Sequence, residues 1–461
     1  MEKALPVQGF LFMARDQVDL LVDARWLLPM EPAGEVLERH SVAVRAGRIC
    51  ALLSWQEADE RFEARERLRL ERHALIPGLV NLHTHAAMTL LRGLADDLPL
   101  MEWLQEHIWP AEMRFVTPEF VHDGTLLACA EMIQGGITCF NDMYFFPEAA
   151  ARAVIKAGMR ATLGMIVVDF PTPYAADPDD YLSKGLALRD QHRANALLSF
   201  CMAPHAPYTV SDKSFEKMLT YAEQIQVPIH VHLHETEEEI RESLRQHGVR
   251  PLERLRRLGL LGPGLVAVHM VHLTAEEMEL TAHANASVAH CPSSNLKLAS
   301  GFAPIAQLVE RGVNVGLGTD GAASNNRLDL FQEMRTAALL AKAVSGRADA
   351  LPAHRALEMA TLNGARALGL DKAIGSLVPG KRADMVAVDL GPLELSPCYD
   401  PRSHLVYAAG REHVSHVWVE GRPLLQDRQF TTLDAKELAA RASRWGRRIA
   451  DARADIRPGG N

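Results

Sequence analysis

Two histidines lie two residues apart at the end of an apolar run, in the segment IPGLVNLHTHAAMTLLRG of residues 76–93. Side chains alternate between the two faces of a strand, so His83 and His85 share one face while Thr84 points to the other. Imidazole nitrogen is a preferred ligand of zinc and similar divalent ions. A pair of this kind at a strand end therefore favours a metal site over two independent core histidines.

Further histidines and acidic residues end other short apolar runs. These residues are Asp142, His205, His232 to Glu235, His269, His290 and Asp320. With 20 histidines in 461 residues, chance would seldom place histidine at the end of five of eight runs. Imidazole nitrogens and carboxylate oxygens together form a catalytic zinc site that keeps one position for water. The set is supplied by His83, His85, one histidine of the fifth run, and Asp320.

Eight short apolar runs, separated by segments with helical spacing, must position these residues. The runs are Leu79–His85, Ile137–Asp142, Ala161–Val167, Leu197–His205, Pro228–His234, Leu265–His269, Ser287–His290 and Val313–Asp320. Eight β-α units predict an α/β fold, a (β/α)8 barrel of the TIM type, whose catalytic groups lie at the carboxyl ends of the strands. An open doubly wound sheet is the alternative, but it would carry a Gly-rich phosphate turn where this chain has His-Thr-His.

Both flanks of the barrel are rich in strand patterns. DLLVDARWLL and SVAVRAGRICALL precede it, and ADMVAVDL and VSHVWVEGRPLL follow it. These runs predict one small β-sandwich built from both chain ends, residues 1–75 and 375–461, with the barrel inserted at residues 76–374. Helical spacing is found at Thr236–Arg257 among other segments, and Asp434–Ile456 predicts an amphipathic tail helix.

Composition excludes several classes of function. The chain has 48% hydrophobic and 23% charged residues, and its net charge of −9 argues against nucleic-acid polymers as partners. The six cysteines are scattered without a C-x-x-C pair, so neither disulfides nor a thiolate zinc site are expected. Since no long apolar run or signal-peptide pattern occurs, no membrane partner is expected and a cytoplasmic location is the default. The oligomeric state stays open, a homo-oligomer included.

The motifs PGLVNLHTH, HLHE, AVHMVHL, HCPSSNLKL and GLGTDGAASNN resemble those of the amidohydrolase superfamily. The similarity is greatest to its branch of adenosine-type and methylthioadenosine/S-adenosylhomocysteine deaminases. GSLVPGKRADMVAVDL resembles the strand pair by which such chains return to the β-sandwich. The resemblance covers nearly the whole chain, and the motifs are specific in their combination and order.

The resemblance implies which histidine of the fifth run binds metal, although His230, His232 and His234 share one face. The family motif His-x-x-Glu falls on His232 and Glu235, which leaves the other two histidines for packing. No bridging lysine or glutamate occurs near the third and fourth strand ends, so one divalent ion per chain is implied. Zinc is the expected metal, with iron and manganese left open. The four implied ligands are His83, His85, His232 and Asp320.

The resemblance also implies how such a site would work. A divalent ion supplies a deprotonated water near neutral pH, beside C6 of an adenine ring. Asp320 is expected to accept the water proton, and His269 to hydrogen-bond the attacking oxygen. Glu235 is the expected acid/base that gives a proton to N1, with a helix cap as its alternative role. The neighbouring acids Glu237 to Glu239 are expected to be solvated.

Substrate-binding residues are implied in the same way. WLQEHIWPAE resembles a family segment that places Trp103 over the purine and Glu112 on the ribose hydroxyls, and His205 matches a histidine that contacts the purine. Glu235 faces N1. Each has an alternative role: Trp103 as a core residue of a lid, Glu112 as a solvated charge, and His205 as the partner in a hydrogen bond at the strand end. Relatives that use S-adenosylhomocysteine tend to carry arginine at the end of the third strand, where alignment puts Met165. Met165 is therefore expected to contact the 5′ substituent of the substrate.

The implied activity is metal-dependent hydrolytic deamination of an adenine nucleoside, with 5′-methylthioadenosine giving 5′-methylthioinosine and ammonia. Because Met165 stands in place of the arginine, S-adenosylhomocysteine is expected to be a poorer substrate, as is adenosine, which lacks the thioether. The alternative is a guanine deaminase or a triazine deaminase or chlorohydrolase of the same superfamily. A non-enzymatic metal-binding scaffold would require a missing ligand or acid/base, and none is missing. The roles of His272, His290 and Asn295 stay open.

Overall fold

The computed structural model describes residues 15–454, and within them sixteen strands form two sheets of eight. In chain order the strands are β1 (Asp16–Leu27), β2 (Leu37–Arg45), β3 (Arg48–Ser54), β4 (Phe62–Pro77), β5 (Leu79–Thr84), β6 (Ile137–Asp142), β7 (Arg160–Val167), β8 (Leu198–Pro204), β9 (Ile229–Leu233), β10 (Leu265–His269), β11 (Ser287–His290), β12 (Asn314–Leu317), β13 (Met385–Asp389), β14 (Val414–Val419), β15 (Arg422–Gln426) and β16 (Gln429–Phe430).

Strands β5 to β12 are parallel and lie side by side in chain order. The backbone N–H groups of Thr319 and Asp320, just after β12, donate to the carbonyl of His83 in β5 at 3.1 and 3.0 Å. The last strand thus returns to the first, which confirms the predicted (β/α)8 barrel. Each strand begins and ends within about three residues of the run predicted for it.

The second sheet is mixed and is built from both chain ends, in the order β16-β15-β14-β13-β4-β1-β2-β3. Strand β13 pairs antiparallel with β4, with Met385 opposite Pro77. Leu20 and Val42 from the N-terminal strands share one buried cluster with Met385 and Trp418 from the C-terminal strands. The two ends therefore form one small β unit, as predicted. The boundaries set at residues 75 and 375 stay a prediction, and residues 1–14 and 455–461 lie outside the described part.

The α-helices lie mostly around the barrel, whereas Trp55–Arg61 packs against strands β2 to β4 of the second sheet. They are Trp55–Arg61, Leu100–Glu102, Trp109–Phe115, Pro118–Gln134, Pro147–Ala157, Pro178–His192, Asp212–Ile225, Glu237–His247, Pro251–Arg257, Ala275–His283, Pro292–Lys297, Ile305–Glu310, Leu330–Ser345, Ala353–Met359, Leu362–Ala367, Pro401–Ser403 and Ala435–Ala454. Short 3-10 turns cover Ala86–Leu91, Leu393–Leu395 and Arg411–His413, and π-helical turns cover Trp103–Ile108 and His404–Ala408.

The helix expected over Thr236–Arg257 is two helices. Gly248, with a left-handed φ of 70°, ends the first, and Pro251 occupies the first turn of the second. The tail helix is Ala435–Ala454, and the last two residues predicted for it lie outside the described range. Among the described helices, not one combines the length and the apolar character that crossing a bilayer requires.

Candidate active site

Four side chains from separate parts of the barrel meet at the carboxyl ends of its strands. His83 and His85 come from the end of β5, His232 from β9, and Asp320 from the turn after β12. Asp320 Oδ1 lies 3.2 Å from His83 Nε2 and 3.3 Å from His85 Nε2, and the Nε2 atoms of His83 and His232 are 3.2 Å apart. His269 shares the cluster, since its donor atom and those of His83 and Asp320 all lie within 4.8 Å of one another.

Hydrogen bonds on the far side of the rings orient two of the imidazoles. Nδ1 of His85 donates to the carbonyl of Met143 at 2.6 Å, and Nδ1 of His232 donates to the carbonyl of His205 at 2.7 Å. A carbonyl oxygen only accepts, so each Nδ1 carries a proton, and in the neutral imidazole each Nε2 then presents a lone pair to the cluster. Unprotonated imidazole nitrogens beside a carboxylate are the donor set of a divalent metal, so these residues fit such an ion.

Asp320 is fixed as a carboxylate. The hydroxyls of Ser294 and Ser324 donate to its Oδ2 at 2.6 and 2.8 Å, and the N–H of Gly321 donates to Oδ1 at 2.8 Å. Burial raises its pKa, but the hydrogen bond with His83 and the nearby imidazoles of His85 and His269 outweigh burial and hold the pKa well below its usual value. Asp320 also has a left-handed φ of 62°, a conformation that concentrates at functional sites.

His269 and Glu235 face each other beside this cluster. His269 Nδ1 donates to Oδ1 of Asn295 at 2.8 Å, and its Nε2 lies 3.7 Å from Glu235 Oε2. Glu235 is buried, and burial raises its pKa, with His269 opposing the shift and Asp320 adding to it. A carboxyl group with a raised pKa at this position is suited to hold and transfer a proton near neutral pH.

Glu239 supports this part of the site and was missed by the sequence analysis. Its two carboxylate oxygens accept the backbone N–H groups of His234 and Glu235 at 2.9 and 2.8 Å. The side chain is buried, and burial raises its pKa to about 7. The expectation that Glu239 is solvated is therefore wrong. The Thr-x-x-Glu spacing from Thr236, typical of a helix start, was the available signal.

One cavity of about 190 Å3 opens over the cluster. Around its polar base lie His85, His205, His232, Glu235, His269 and Asp320. Trp103 and Glu112, both expected to bind substrate, also line it. Trp103 Nε1 donates to the carbonyl of Ala95 at 3.1 Å, and the Tyr144 hydroxyl donates to Glu112 at 2.8 Å. Burial raises the pKa of Glu112 to about 7, which the Tyr144 hydrogen bond opposes.

The outer wall of the cavity is apolar. It includes Met113, Phe146, Ile166, Val168 and Phe170. Among the described residues that line the cavity there is no arginine or lysine, and the carboxylates are those of Glu112, Glu235 and Asp320. A ligand group placed at this wall therefore meets hydrocarbon and aromatic carbon and no cation.

Met165 does not lie at this wall, so the expectation that it contacts substrate is wrong. It is 1% exposed, and a Cβ atom placed on Gly185 of the helix Pro178–His192 would lie 2.8 Å from its Cβ. Met165 therefore packs outward against that helix. The next residue, Ile166, points inward and lines the cavity, because neighbouring strand residues face opposite sides.

Of the remaining candidate residues, His205 lines the cavity and the others lie outside it. His205 lies in the cavity, with Nδ1 3.0 Å from Thr209 Oγ1, and burial, with the nearby His85 and His83, lowers its pKa to about 3. Asp142 accepts the N–H of Ala86 at 2.8 Å and so shapes the turn after β5. His290 is buried beside a smaller second cavity, and His272 bonds the carbonyl of Ser300. Neither belongs to the main cavity.

Comparison with known proteins agrees with this geometry. Residues 74–424 match the Amidohydrolase family. The chain is 50% identical over 436 residues to a Saccharophagus degradans protein named 5-methylthioadenosine/S-adenosylhomocysteine deaminase, covering 95% of this chain and 98% of that protein. It is 44% identical over 413 residues to a 5′-deoxyadenosine deaminase of Methanothermobacter thermautotrophicus, covering 88% and 95%.

The crystal structure of an adenosine deaminase from Xanthomonas campestris with bound zinc superposes with a TM-score of 0.94. It has 50% sequence identity to this chain, with coverage of 95% of this chain and 100% of that one. The protein therefore belongs to the amidohydrolase family.

Proposed function

We propose that the protein deaminates adenine nucleosides by hydrolysis and converts 5′-methylthioadenosine to 5′-methylthioinosine and ammonia. One observation carries the proposal: the candidate metal ligands His85, His232 and Asp320 line the same cavity of about 190 Å3 as Glu235, Glu112 and the apolar outer wall. Such a cavity has reactive groups at its floor, a carboxyl group for the ribose hydroxyls and an apolar wall for an uncharged 5′ substituent. The names of the similar proteins support the same activity.

The proposed metal is one divalent ion per chain, and zinc is supported by the relative crystallised with it. The proposed ligands are His83, His85, His232 and Asp320. An ion bound there would lower the pKa of water toward neutral and so provide the nucleophile for the ring carbon that bears the amino group.

The chain's own residues then move the protons. Glu235, whose pKa burial raises, gives a proton to N1 as the ring carbon becomes tetrahedral. Asp320 accepts one proton of the attacking water and passes it to the amino group, which leaves as ammonia. The proton that remains on the oxygen returns to Glu235 as the ring C=O forms. His269 contributes a hydrogen-bonding Nε2, since Asn295 holds its Nδ1 proton on the opposite side.

Nucleoside recognition is assigned to three residues that line the cavity. Trp103 covers the purine, His205 contacts it as a neutral imidazole, and Glu112 binds the ribose hydroxyls. Tyr144 occupies one oxygen of Glu112 at 2.8 Å, which leaves the second oxygen for the substrate. These contacts are shared by every adenine ribonucleoside, so discrimination between substrates must arise at the 5′ end.

The apolar wall favours 5′-methylthioadenosine over S-adenosylhomocysteine. The thioether methyl meets Ile166, Val168 and Phe170, whereas the amino-acid carboxylate of S-adenosylhomocysteine meets no arginine or lysine of the lining. A charge-assisted hydrogen bond contributes roughly 1.5 to 3 kcal/mol, so its absence corresponds to a preference of roughly ten- to a hundredfold in kcat/KM. Adenosine, which lacks the thioether, is expected to rank below methylthioadenosine.

The deciding experiment measures loss of the 6-amino chromophore and release of ammonia on one preparation of known metal content. The substrates are 5′-methylthioadenosine, S-adenosylhomocysteine and adenosine, with guanine and melamine included to test the other branches of the superfamily. Elemental analysis should find about one metal ion per chain, and alanine at both His83 and His85 should remove it. Turnover of guanine or melamine without turnover of the nucleosides would refute the proposal, as would full metal occupancy in the double variant.

A further inference from the structure

Arg114 connects the segment that carries Glu112 to the far end of the chain. Both residues belong to the helix Trp109–Phe115, and their separation of two positions places them on different sides of it. Glu112 is buried against the cavity, whereas Arg114 is exposed and its Nη1 donates to the carbonyl of Ala452 at 3.0 Å. The helix is thus held from inside by the cavity wall and from outside by the C-terminal helix.

The C-terminal helix, Ala435–Ala454, is itself firmly attached. The buried carboxylate of Asp123 accepts hydrogen bonds from Arg441 at 2.5 Å and from Trp445 Nε1 at 3.1 Å. Trp445 is 2% exposed, and its ring meets that of Phe120 edge to face, with centroids 5.2 Å apart. These contacts fix the helix against Pro118–Gln134, the next helix after the one that carries Glu112.

The acceptor of Arg114 is a main-chain carbonyl of this helix, that of Ala452. A hydrogen bond from a charged guanidinium to a carbonyl is stronger than one between two neutral groups. We infer that Arg114 is a positioning residue: by binding the Ala452 carbonyl of the C-terminal helix, it holds Glu112 at the ribose end of the cavity. The inference rests on the proposed function, in which Glu112 binds the ribose hydroxyls. An element remote from the metal donors thereby contributes to nucleoside affinity.

The first test combines steady-state kinetics with amide hydrogen exchange on the full-length, metal-loaded protein. Arg114→Met should raise KM for 5′-methylthioadenosine by about three- to tenfold, as expected for the loss of one partly exposed hydrogen bond, with kcat within about twofold of the parent. Amides of residues 109–116 should exchange faster. Arg114→Lys should restore much of the affinity, and Arg447→Met, which removes an exposed arginine of the same C-terminal helix, should leave KM and exchange unchanged.

The second test is a double-mutant cycle with Glu112→Gln. If Arg114 acts through Glu112, Arg114→Met should change KM by less than about twofold in the Glu112→Gln background. An equal effect of Arg114→Met in both backgrounds would overturn the inference, and so would unchanged exchange of residues 109–116. If Glu112→Gln alone left KM unaltered, the ribose role in the proposed function would fail. The exchange measurement would still decide whether Arg114 holds the segment.

Discussion

Replacement of Glu112 by glutamine probes the electrostatics of the cavity through the pH dependence of stability. Burial raises the pKa of Glu112 from its ordinary 4.5 to about 7. At intermediate pH the folded protein keeps a proton that the unfolded chain has already lost. Folding then binds protons, so the stability that this group contributes at low pH is lost as pH rises from about 4.5 to about 7.

The size of the effect follows from the two pKa values. At about 1.4 kcal/mol per unit, a shift from 4.5 to about 7 amounts to roughly 3 kcal/mol by pH 8, of which about 2.5 kcal/mol develops between pH 5 and pH 8. Glutamine keeps an oxygen for the Tyr144 hydroxyl but does not titrate. The free energy of unfolding of Glu112→Gln relative to the parent should therefore increase by about 2.5 kcal/mol over this range.

Urea denaturation at pH 5, 6, 7 and 8, followed by tryptophan fluorescence, measures this difference. Both proteins carry the same metal load, so the contribution of the metal cancels when the two are subtracted. Glu106→Gln is the matched control, because Glu106 is an exposed carboxylate of the π-helical turn Trp103–Ile108, directly before the helix that carries Glu112, and its replacement should not change the pH dependence. Parallel profiles for the parent and Glu112→Gln would refute the view that burial raises the pKa of Glu112.

Three further substitutions test the site. Glu235→Gln should retain the metal but lose roughly two to four powers of ten in turnover, and near-parental turnover would reduce Glu235 to a helix cap. Glu239→Gln leaves a buried backbone N–H without its acceptor and should cost roughly 1 to 3 kcal/mol in urea denaturation, whereas the exposed Glu237→Gln should cost little. Met165→Ala should cost about 2 to 5 kcal/mol without changing the preference for 5′-methylthioadenosine over S-adenosylhomocysteine, and a changed preference would place Met165 back in the cavity.

The cluster of candidate metal ligands could be predicted because strand geometry leaves little freedom in where these side chains point. His83 and His85 must share a face, and the barrel brings strand ends from residues 83 and 320 of the chain to one rim. The apolar run ATLGMIVV around Met165 offers no such constraint. Its one polar residue, Thr162, is itself fully buried and does not mark a solvent-facing side. An error of one position in register exchanges the inward and outward faces. The same run therefore gave the correct strand and the wrong cavity residue.

Glu239 shows a different limit of prediction from the sequence. In the sequence TEEE the three glutamates are chemically alike, and only the helical phase set by Thr236 separates them. Residues 237 and 238 face solvent, while the carboxylate at position 239 turns back to the N–H groups of residues 234 and 235. A run of like charges is ordinarily solvated, so the sequence alone favoured the wrong environment for one of the three.

The hydrogen bonds that orient the imidazoles of His85 and His232 have no sequence signature. The acceptors for His85 and His232 are the main-chain carbonyls of Met143 and His205, at the ends of neighbouring strands. Any residue offers the same carbonyl, so no motif can record these contacts, and only the stagger of the barrel strands supplies them. The direction of each Nε2 lone pair therefore depends on strand register as much as on the histidines themselves. A substitution that shifts the end of β6 or β8 by a fraction of an ångström should weaken metal binding while every motif residue remains in place.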